Sequence, residues 1–275
     1  MKTEFDWPQI FRECKTNVQT AIIPCISTIR MPQPNLGMGA GGDMMKPVDL
    51  FAETAIVNTL KQHNVSFTLI SEESGIKTYG DSPQTCYITT DPIDGTTNLT
   101  HGLPFYASSI AVSSKPDLAS VHAAMVIDLP HDITYTAFKD KGAYRNDKKM
   151  ETSKISSLAE ALLGLDINAY NGKFNIQSVL DLIYKTKHIR HFGANALEVC
   201  YVAEGLTDAF VDLRNKIRTT DVAAAFLIAK EAGATITDEK NQPINVPLDP
   251  KQTLNFIAAN KQIHKQILSL VNPNV

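Results

Sequence analysis

The sequence has little of what marks several large classes of protein. Its four cysteines are scattered and form no C-x-x-C pair, which suits neither a zinc site nor a dense disulfide framework. No apolar run approaches the roughly 20 residues that a membrane span needs. The first residues carry Glu4 and Asp6 where a signal peptide would be basic. We therefore expect a soluble, cytoplasmic protein with reduced thiols.

An excess of charge of one sign is also missing. The 26 basic and 29 acidic residues give a formal net charge of -3, and like charges form no run. Proteins that bind nucleic acid usually carry a basic patch or stripe, so we expect a small-molecule partner, no nucleic acid and no membrane. The sequence has no H-E-x-x-H pair and no G-x-x-x-x-G-K-[ST] string, which argues against a zinc hydrolase and a nucleotide kinase.

What is present is enough apolar sequence for a substantial core, with 43% hydrophobic residues in 275. Apolar spacing predicts a helix from Pro8, with Asp6 as its cap, and Pro24 is expected to kink or end it. A second helix is predicted from Pro47. Between these helices, glycines and prolines at positions 31–42 predict a mobile loop. Runs rich in β-branched residues predict strands at 65–70, 86–90, 107–112, 121–127 and 133–138.

The second half of the chain alternates between the two kinds of element. Its patterns predict strands at 162–167, 209–213 and 255–259, and helices at 176–184, 195–203 and 221–232, with a last helix at the end. The sequence thus predicts an α/β protein. We expect a strand-rich N-terminal part at 1–150 and a C-terminal α/β part at 151–275.

The densest chemical motif is Asp91-Pro-Ile-Asp-Gly-Thr-Thr-Asn98, directly after a predicted strand. Two carboxylates lie three residues apart on a turn that Pro92 stiffens, and Mg²⁺ prefers one or two carboxylates with positions left for phosphate oxygens. The N–H groups of Gly95 and the residues after it can converge on a phosphate. Taken alone, the Asp94-Gly95 pair would be typical of an ordinary surface turn.

The longer motif resembles the signature of the inositol monophosphatase and fructose-1,6-bisphosphatase superfamily, and other segments follow in that family's order. They are Ser71-Glu-Glu-Ser74, the segment from Asn98 to Phe105, and Thr220-Asp221-Val-Ala-Ala-Ala225 followed by Glu231-Ala-Gly233. The resemblance covers roughly residues 47–233. It implies the sugar-phosphatase fold, with alternating helix and sheet layers and the site between the two parts of the chain.

The resemblance also implies roles for particular residues. It implies that the metal ligands are the side chains of Glu72, Asp91, Asp94 and Asp221, with the carbonyl of Ile93. Most of them lie in the N-terminal part, and Asp221 in the C-terminal part completes the site. Asp49 and Thr96 are implied to orient the attacking water, and Glu72 is counted with them as catalytic. As an alternative, Asp49 is an exposed acid of an amphipathic helix.

The substrate-side segments are His188-Ile-Arg-His-Phe-Gly-Ala-Asn195 and Asp212-Leu-Arg-Asn-Lys-Ile-Arg218. The resemblance and the residue types predict substrate contacts from Asp94, Gly95, Thr96, Arg190, Gly193, Ala194, Asn195 and Arg214. Arg214 stands where the animal inositol enzymes have an acid, and this form resembles the archaeal enzymes of dual specificity. A guanidinium can fork onto phosphate, so we expect Arg214 to favour bisphosphorylated sugars, with a surface salt bridge as the alternative.

The function implied is a phosphoric monoester hydrolase that acts on inositol 1-phosphate, fructose 1,6-bisphosphate or both. The resemblance implies two or three Mg²⁺ ions, replaceable by Mn²⁺, a water that attacks phosphorus in line, and a homodimer. Two alternatives stay open. One is a 3′-phosphoadenosine 5′-phosphate or NADP phosphatase of the same superfamily. The other is a non-catalytic regulator that senses a metal or a phosphorylated ligand.

Overall fold

The computed structural model describes residues 5–31, 33–168, 174 and 176–272. Its α-helices are α1 (Trp7–Ile26), α2 (Pro47–Gln62), α3 (Thr96–His101), α4 (Gln177–Lys185), α5 (Asn195–Glu204), α6 (Thr219–Glu231) and α7 (Lys261–Val271). Its strands are β1 (Phe67–Ser71), β2 (Gly75–Tyr79), β3 (Tyr87–Asp94), β4 (Ala107–Ser113), β5 (Val121–Asp128), β6 (Ile133–Phe138), β7 (Ala143–Arg145), β8 (Lys148–Lys149), β9 (Leu162–Leu165), β10 (His188–Arg190), β11 (Ala209–Arg218), β12 (Thr235–Thr237) and β13 (Thr253–Ala259).

The strands form two sheets. The first has the order β2-β1-β3-β4-β5-β6-β7-β8, in which β1 and β3 are parallel and all other neighbours are antiparallel. The second has the order β10-β9-β11-β13-β12. All strands of the first sheet precede residue 150 and all strands of the second follow residue 161.

Helices and sheets alternate as layers because both faces of each sheet are apolar. In β5, Ala123, Met125 and Ile127 pack with α1 and α2, while the intervening residues Ala124 and Val126 pack with α5 and α6. This alternation is the two-residue period of a strand. The second sheet packs against α5 and α6 on one face and against α4 and α7 on the other. The layers therefore run helix, sheet, helix, sheet, helix, and the predicted layered α/β fold is confirmed.

The central helix α6 lies between the two sheets. Every residue from Thr219 to Ala229 is buried, and the helix is apolar on all sides from Val222 to Ala229, as expected for a helix between two packed layers. Phe226 contacts the ring of Phe256 on β13 edge to face, with the ring centroids 5.0 Å apart. This burial fixes the start of α6, which carries Asp221, relative to both sheets.

Most elements lie where the sequence predicts them, and three differences matter. The chain does not turn at Pro92, because β3 continues through Asp94 with its register against β4 shifted between Asp91 and Asp94. Strand β11 extends five residues beyond its predicted end and leads directly into α6. Helix α1 continues past Pro24 to Ile26. The predicted mobile loop includes Pro32, which lies outside the described residues.

Among the described residues, none of the helices combines the length and the apolarity that crossing a membrane requires.

We expect Phe226→Ala to lower the free energy of unfolding by about 3–5 kcal/mol, because it opens a cavity between the sheets and removes the contact with Phe256. Urea denaturation measures this change. Tyr184→Ala is the control: the Tyr184 side chain on α4 is 81% exposed, so a change within about 0.5 kcal/mol is expected. A loss below about 1 kcal/mol for Phe226→Ala would show that α6 is not held in the core as described.

Candidate metal and phosphate site

Three carboxylates from separate segments meet at one end of the first sheet. Glu72 directly follows β1, Asp91 lies on β3, and Asp221 lies in the first turn of α6. One oxygen of each lies within 4.8 Å of the others, and all three residues are buried. The parallel pairing of β1 with β3 explains the first two neighbours, because it places Ser71 beside Thr90. The residues that follow these two are Glu72 and Asp91.

The end of β3 is shaped by its own carboxylates. The Asp91 carboxylate accepts a hydrogen bond from the Ile93 N–H at 3.1 Å, within the stretch where the register against β4 shifts. Asp94 accepts two more, from the N–H groups of Asn195 at 3.0 Å and Ala196 at 2.6 Å. These N–H groups belong to the first turn of α5, where the helix dipole favours a negative charge.

Gly95 permits this close contact between β3 and α5. It has φ 85°, a left-handed conformation, and it precedes the first residue of α3. A Cβ at this position would lie 3.0 Å from the Cβ of Ala194 and 3.0 Å from the carbonyl oxygen of Phe105. A larger residue would therefore push apart the segments that carry Asp94 and Asn195.

Asp49 and Thr96 face each other across the same site. One Asp49 carboxylate oxygen accepts the Lys46 N–H at 2.9 Å and the other accepts the Thr96 hydroxyl at 3.2 Å. The Thr96 hydroxyl also lies 2.8 Å from the carbonyl oxygen of Ile93. One hydroxyl proton serves one acceptor at a time. Asp49 is buried rather than exposed on its helix, and burial raises its pKa to about 6.

The acids of the site are close enough to repel one another. Burial, with the nearby charge of Asp221, raises the pKa of Glu72 to about 8, and the same two causes raise the pKa of Asp94 to about 7. Burial and the charge of Glu72 raise the pKa of Asp91 as well. Such a set of oxygen donors fits a hard divalent cation, which would compensate the charges that now disfavour one another.

These groups line a cavity of about 340 Å³. The lining includes every predicted metal ligand, Asp49, Gly95, Thr96, Gly193 and Asn195, and adds Asp43, Met44, Lys46, Glu73, Thr97 and Arg218. The sequence-predicted ligands thus come together around one volume. Ala194 is not in the lining and instead supports Gly95 from behind.

Glu53 supports the site from outside it. Its carboxylate accepts the hydroxyl of Ser71 and the N–H of Ser74, the latter at 3.2 Å. These bonds hold both sides of the turn that presents Glu72. Asp49 and Glu53 are both buried: Asp49 lines the cavity, and Glu53 holds the turn that carries Glu72.

Arg218 was missed by sequence reasoning. Its guanidinium lies 2.6 Å from the Glu72 carboxylate and 3.3 Å from that of Asp221, and it also pairs with Asp43 at 2.8 Å. The sequence carries one signal that could have found it: an arginine stands three residues before Asp221, the predicted metal ligand in the first turn of α6, and both side chains reach the same cluster.

The two predicted substrate arginines differ in position. Arg190 is exposed, donates to the carbonyl of Ile189 at 2.8 Å, and is absent from the described lining of the cavity. The Arg214 side chain is largely buried and pairs with Asp166 at 2.5 Å and with Asp212. The guanidinium of Arg214 is therefore already held by two carboxylates.

A second cavity of about 420 Å³ adjoins the first and shares Asp43, Asn195, Arg218 and Asp221 with it. Its remaining lining is Gly41, Gly42, Arg214, Lys216, Ile217, Lys251 and Thr253. The acidic cavity thus opens beside one that carries several basic side chains. A ligand that spans both cavities would meet carboxylates at one end and basic side chains at the other.

Comparisons with known proteins agree on the kind of molecule. The model of the inositol monophosphatase family matches residues 15–275. The chain is 34% identical over 273 residues to the fructose-1,6-bisphosphatase/inositol-1-monophosphatase of Methanothermobacter thermautotrophicus, covering 95% of both chains. It is 33% identical over 253 residues to the bifunctional NADP phosphatase/NAD kinase of Methanococcus maripaludis; that match covers 85% of this chain and 44% of the longer protein.

Solved structures give the same result. A crystal structure of an inositol monophosphatase-fructose 1,6 bisphosphatase superposes with a TM-score of 0.85 at 29% identity. The match covers 97% of this chain and all of that one.

We expect the metal-free protein to lose stability as the pH rises from 6 to 8. The folded-state pKa values of Glu72, about 8, and of Asp94, about 7, lie above the ordinary values near 4. Between the ordinary and the folded-state pKa of each group, the folded state therefore binds more protons than the unfolded chain. The free energy of unfolding consequently falls as the pH rises through this range. Urea denaturation in EDTA at the two pH values measures the fall.

Glu72→Gln is the matched variant, because it removes one of the proton-binding groups and should reduce the fall. A saturating divalent cation should reduce it too, since the cation replaces protons at the carboxylates. Stability in EDTA that is equal or higher at pH 8 would contradict this account of the site.

Proposed function

The chain belongs to the inositol monophosphatase family and is a phosphoric monoester hydrolase, and we propose that it hydrolyses a phosphate monoester of a small sugar or polyol with Mg²⁺ as cofactor. The proposed substrates are inositol 1-phosphate, fructose 1,6-bisphosphate or both. The observation that carries the proposal is the convergence of Glu72, Asp91 and Asp221 within 4.8 Å on the cavity that Asp49 and Thr96 also line.

The residues present fit the proposed cofactor. Glu72, Asp91, Asp94 and Asp221, with the carbonyl of Ile93, are all oxygen donors, which Mg²⁺ prefers. When bound, Mg²⁺ polarises phosphoryl oxygens and lowers the pKa of water. Two or three ions, with Mn²⁺ as a substitute, remain the prediction.

The chain itself would orient the nucleophile. Asp49 and Thr96 lie 3.2 Å apart beside the carboxylates, so a water between them and the phosphate could donate to the Thr96 oxygen while Thr96 donates to Asp49 or Ile93. Thr96 then acts as a relay that fixes the direction of the water lone pair toward phosphorus. Asp49, with its raised pKa, is suited to accept a proton near neutral pH.

The phosphate would be placed by backbone groups. Gly95, Thr96 and Thr97 line the cavity at the start of α3, where the first N–H groups of a helix have no partner within the helix. Opposite them, Gly193 and Asn195 belong to the segment that Asp94 fixes. We propose that these two segments enclose the phosphate from two sides.

The second cavity supports a substrate with a distal phosphate. Arg214 lines it together with Lys216 and Lys251, and its ion pairs with Asp166 and Asp212 hold it in one orientation. A held guanidinium loses little further freedom on binding an anion, although it shares its charge with two acids. Selection of bisphosphorylated sugars by Arg214 therefore stays a proposal, and the neighbouring lysines would add to it. Arg190 has no such support.

NADP is a second candidate substrate. The similarity to an NADP phosphatase/NAD kinase covers 85% of this chain, and the paired cavities offer room for a ligand with several phosphates. We keep 3′-phosphoadenosine 5′-phosphate as a related option. A homodimer, a cytoplasmic location and a division near residue 150 stay predictions.

We expect phosphate release from inositol 1-phosphate or fructose 1,6-bisphosphate with Mg²⁺ and none in excess EDTA. The panel should include NADP and 3′-phosphoadenosine 5′-phosphate, whose faster turnover would favour the second candidate. Asp91→Asn should lower kcat/KM by roughly a hundredfold or more, because it removes one proposed ligand. Release of no phosphate from any substrate would favour a non-catalytic regulator and contradict the proposal.

We expect Thr96→Val to lower kcat by roughly a hundredfold or more with a smaller change in KM, because valine keeps the shape of threonine but cannot orient the water. Thr96→Ser should keep most of the activity. Thr100→Val is the matched control, since the Thr100 hydroxyl on the same helix donates to the carbonyl of Thr97 at 2.9 Å, lies 3.5 Å from Nδ1 of His101, and is absent from the described lining of the cavity. Equal losses in Thr96→Val and Thr100→Val would indicate damage to α3 in place of a lost relay.

A further inference from the structure

Arg218 is the one positive side chain in direct ionic contact with the described acidic cluster. Its guanidinium contacts Glu72 at 2.6 Å through one terminal nitrogen and Asp221 at 3.3 Å through Nε. The Arg218 N–H also donates to the second Asp221 oxygen at 3.1 Å. Two of the three clustered carboxylates are thus paired with the same residue, and the same two would bind a divalent cation.

The other end of the guanidinium holds a loop. Its remaining terminal nitrogen donates to the carbonyl of Gly41 at 3.1 Å and to the carboxylate of Asp43 at 2.8 Å. The loop is joined to the turn at Glu72 independently, because the N–H groups of Ala40 and Gly41 donate to the carbonyls of Glu73 and Glu72 at 2.9 and 2.7 Å.

The approach is close enough to constrain residue type. A Cβ at Gly41 would lie 2.6 Å from the Arg218 terminal nitrogen and 2.8 Å from Cγ of Glu72. Gly41 therefore lets the loop lie directly over the ion pair. The planar fork of an arginine suits this position, since its separate N–H groups reach Glu72 on one side and Asp43 on the other, which a single ammonium cannot do.

These contacts have opposite consequences for the two states of the site. Without a metal ion, a guanidinium beside Glu72 and Asp221 lowers the repulsion among the buried carboxylates. With a metal ion, the same positive charge repels the cation and competes for its ligands. An arginine here therefore stabilises the metal-free site and weakens cation binding.

We infer that Arg218 is a positioning residue of the metal site. Its positive charge compensates the negative charges of Glu72 and Asp221 until a divalent cation binds. Its guanidinium also ties the Gly41–Asp43 loop to these two residues. This inference rests on the proposed function, because it takes the carboxylates to be Mg²⁺ ligands. Arg218 has two separable properties in this role. Its charge sets cation affinity, and its fork holds the loop.

Two measurements on metal-free protein separate these properties. Calorimetric titration with Mg²⁺ alone gives the affinity, and hydrogen exchange of the amides at 39–45 gives the order of the loop. Arg218→Gln removes both properties, so we expect Mg²⁺ to bind at least about tenfold more tightly and the loop amides to exchange faster. The melting temperature in EDTA should fall, and saturating Mg²⁺ should raise it by more than in the wild type.

Arg218→Lys keeps the charge and loses the fork, so its Mg²⁺ affinity should stay within about threefold of wild type while the loop amides lose protection. Asp43→Asn should do the same from the loop side. Arg145→Gln is the matched control, because Arg145 pairs with Glu204 at 2.9 Å and lines neither the acidic nor the adjoining cavity. It should change neither measurement.

The outcomes distinguish the inference from the function beneath it. Absence of Mg²⁺ binding to the wild type would overturn the proposed cofactor and the inference with it. A wild type that binds Mg²⁺, with equal or weaker binding in Arg218→Gln, would overturn the inference alone. If Arg218→Gln does not fold, unchanged loop protection in both Arg218→Lys and Asp43→Asn would overturn it equally.

Discussion

The structure around the site depends on one constraint: several buried carboxylates must be held close together although they repel one another. The donors that hold them come from three elements, namely α5, β3 and the end of β11. The N–H groups at the start of α5 hold Asp94, the N–H of Ile93 holds Asp91, and Arg218 holds Asp221 together with Glu72. The rigidity of these supports depends on the layers on both sides, since α5 and α6 are buried between the two sheets.

Much of this arrangement could be predicted from the sequence because it depends on patterns within short segments. Five of the eight strands of the first sheet, the Asp6 cap of α1 and the motif at Asp91 to Thr96 are local patterns, and that motif is specific enough to indicate its partners. The parallel pairing of β1 with β3 was not predicted, although it is what brings Glu72 beside Asp91. Such pairing joins residues that no local period connects.

The less predictable part concerns long side chains. An arginine can reach any partner within several ångströms, so its residue type alone did not distinguish Arg218, which lies in the site, from Arg190, which is exposed, or Arg214, which is paired with Asp166. The path of the backbone determines whether each arginine side chain reaches the site. Strand β11 runs on to Arg218 and ends there in α6, so the positions along it are placed by a strand that the sequence patterns ended too early.

The placement of Asp221 at the start of α6 has a consequence for folding. Asp91 lies on the first sheet and Glu72 directly follows one of its strands, whereas Asp221 comes from a helix that also packs on the second sheet. The three carboxylates therefore meet only when both sheets have packed on α6. Neither the segment before residue 150 nor the segment after it carries all three carboxylates. During refolding, enzymatic activity should therefore return only after the two sheets have packed on α6, so regained activity would report this last step of assembly.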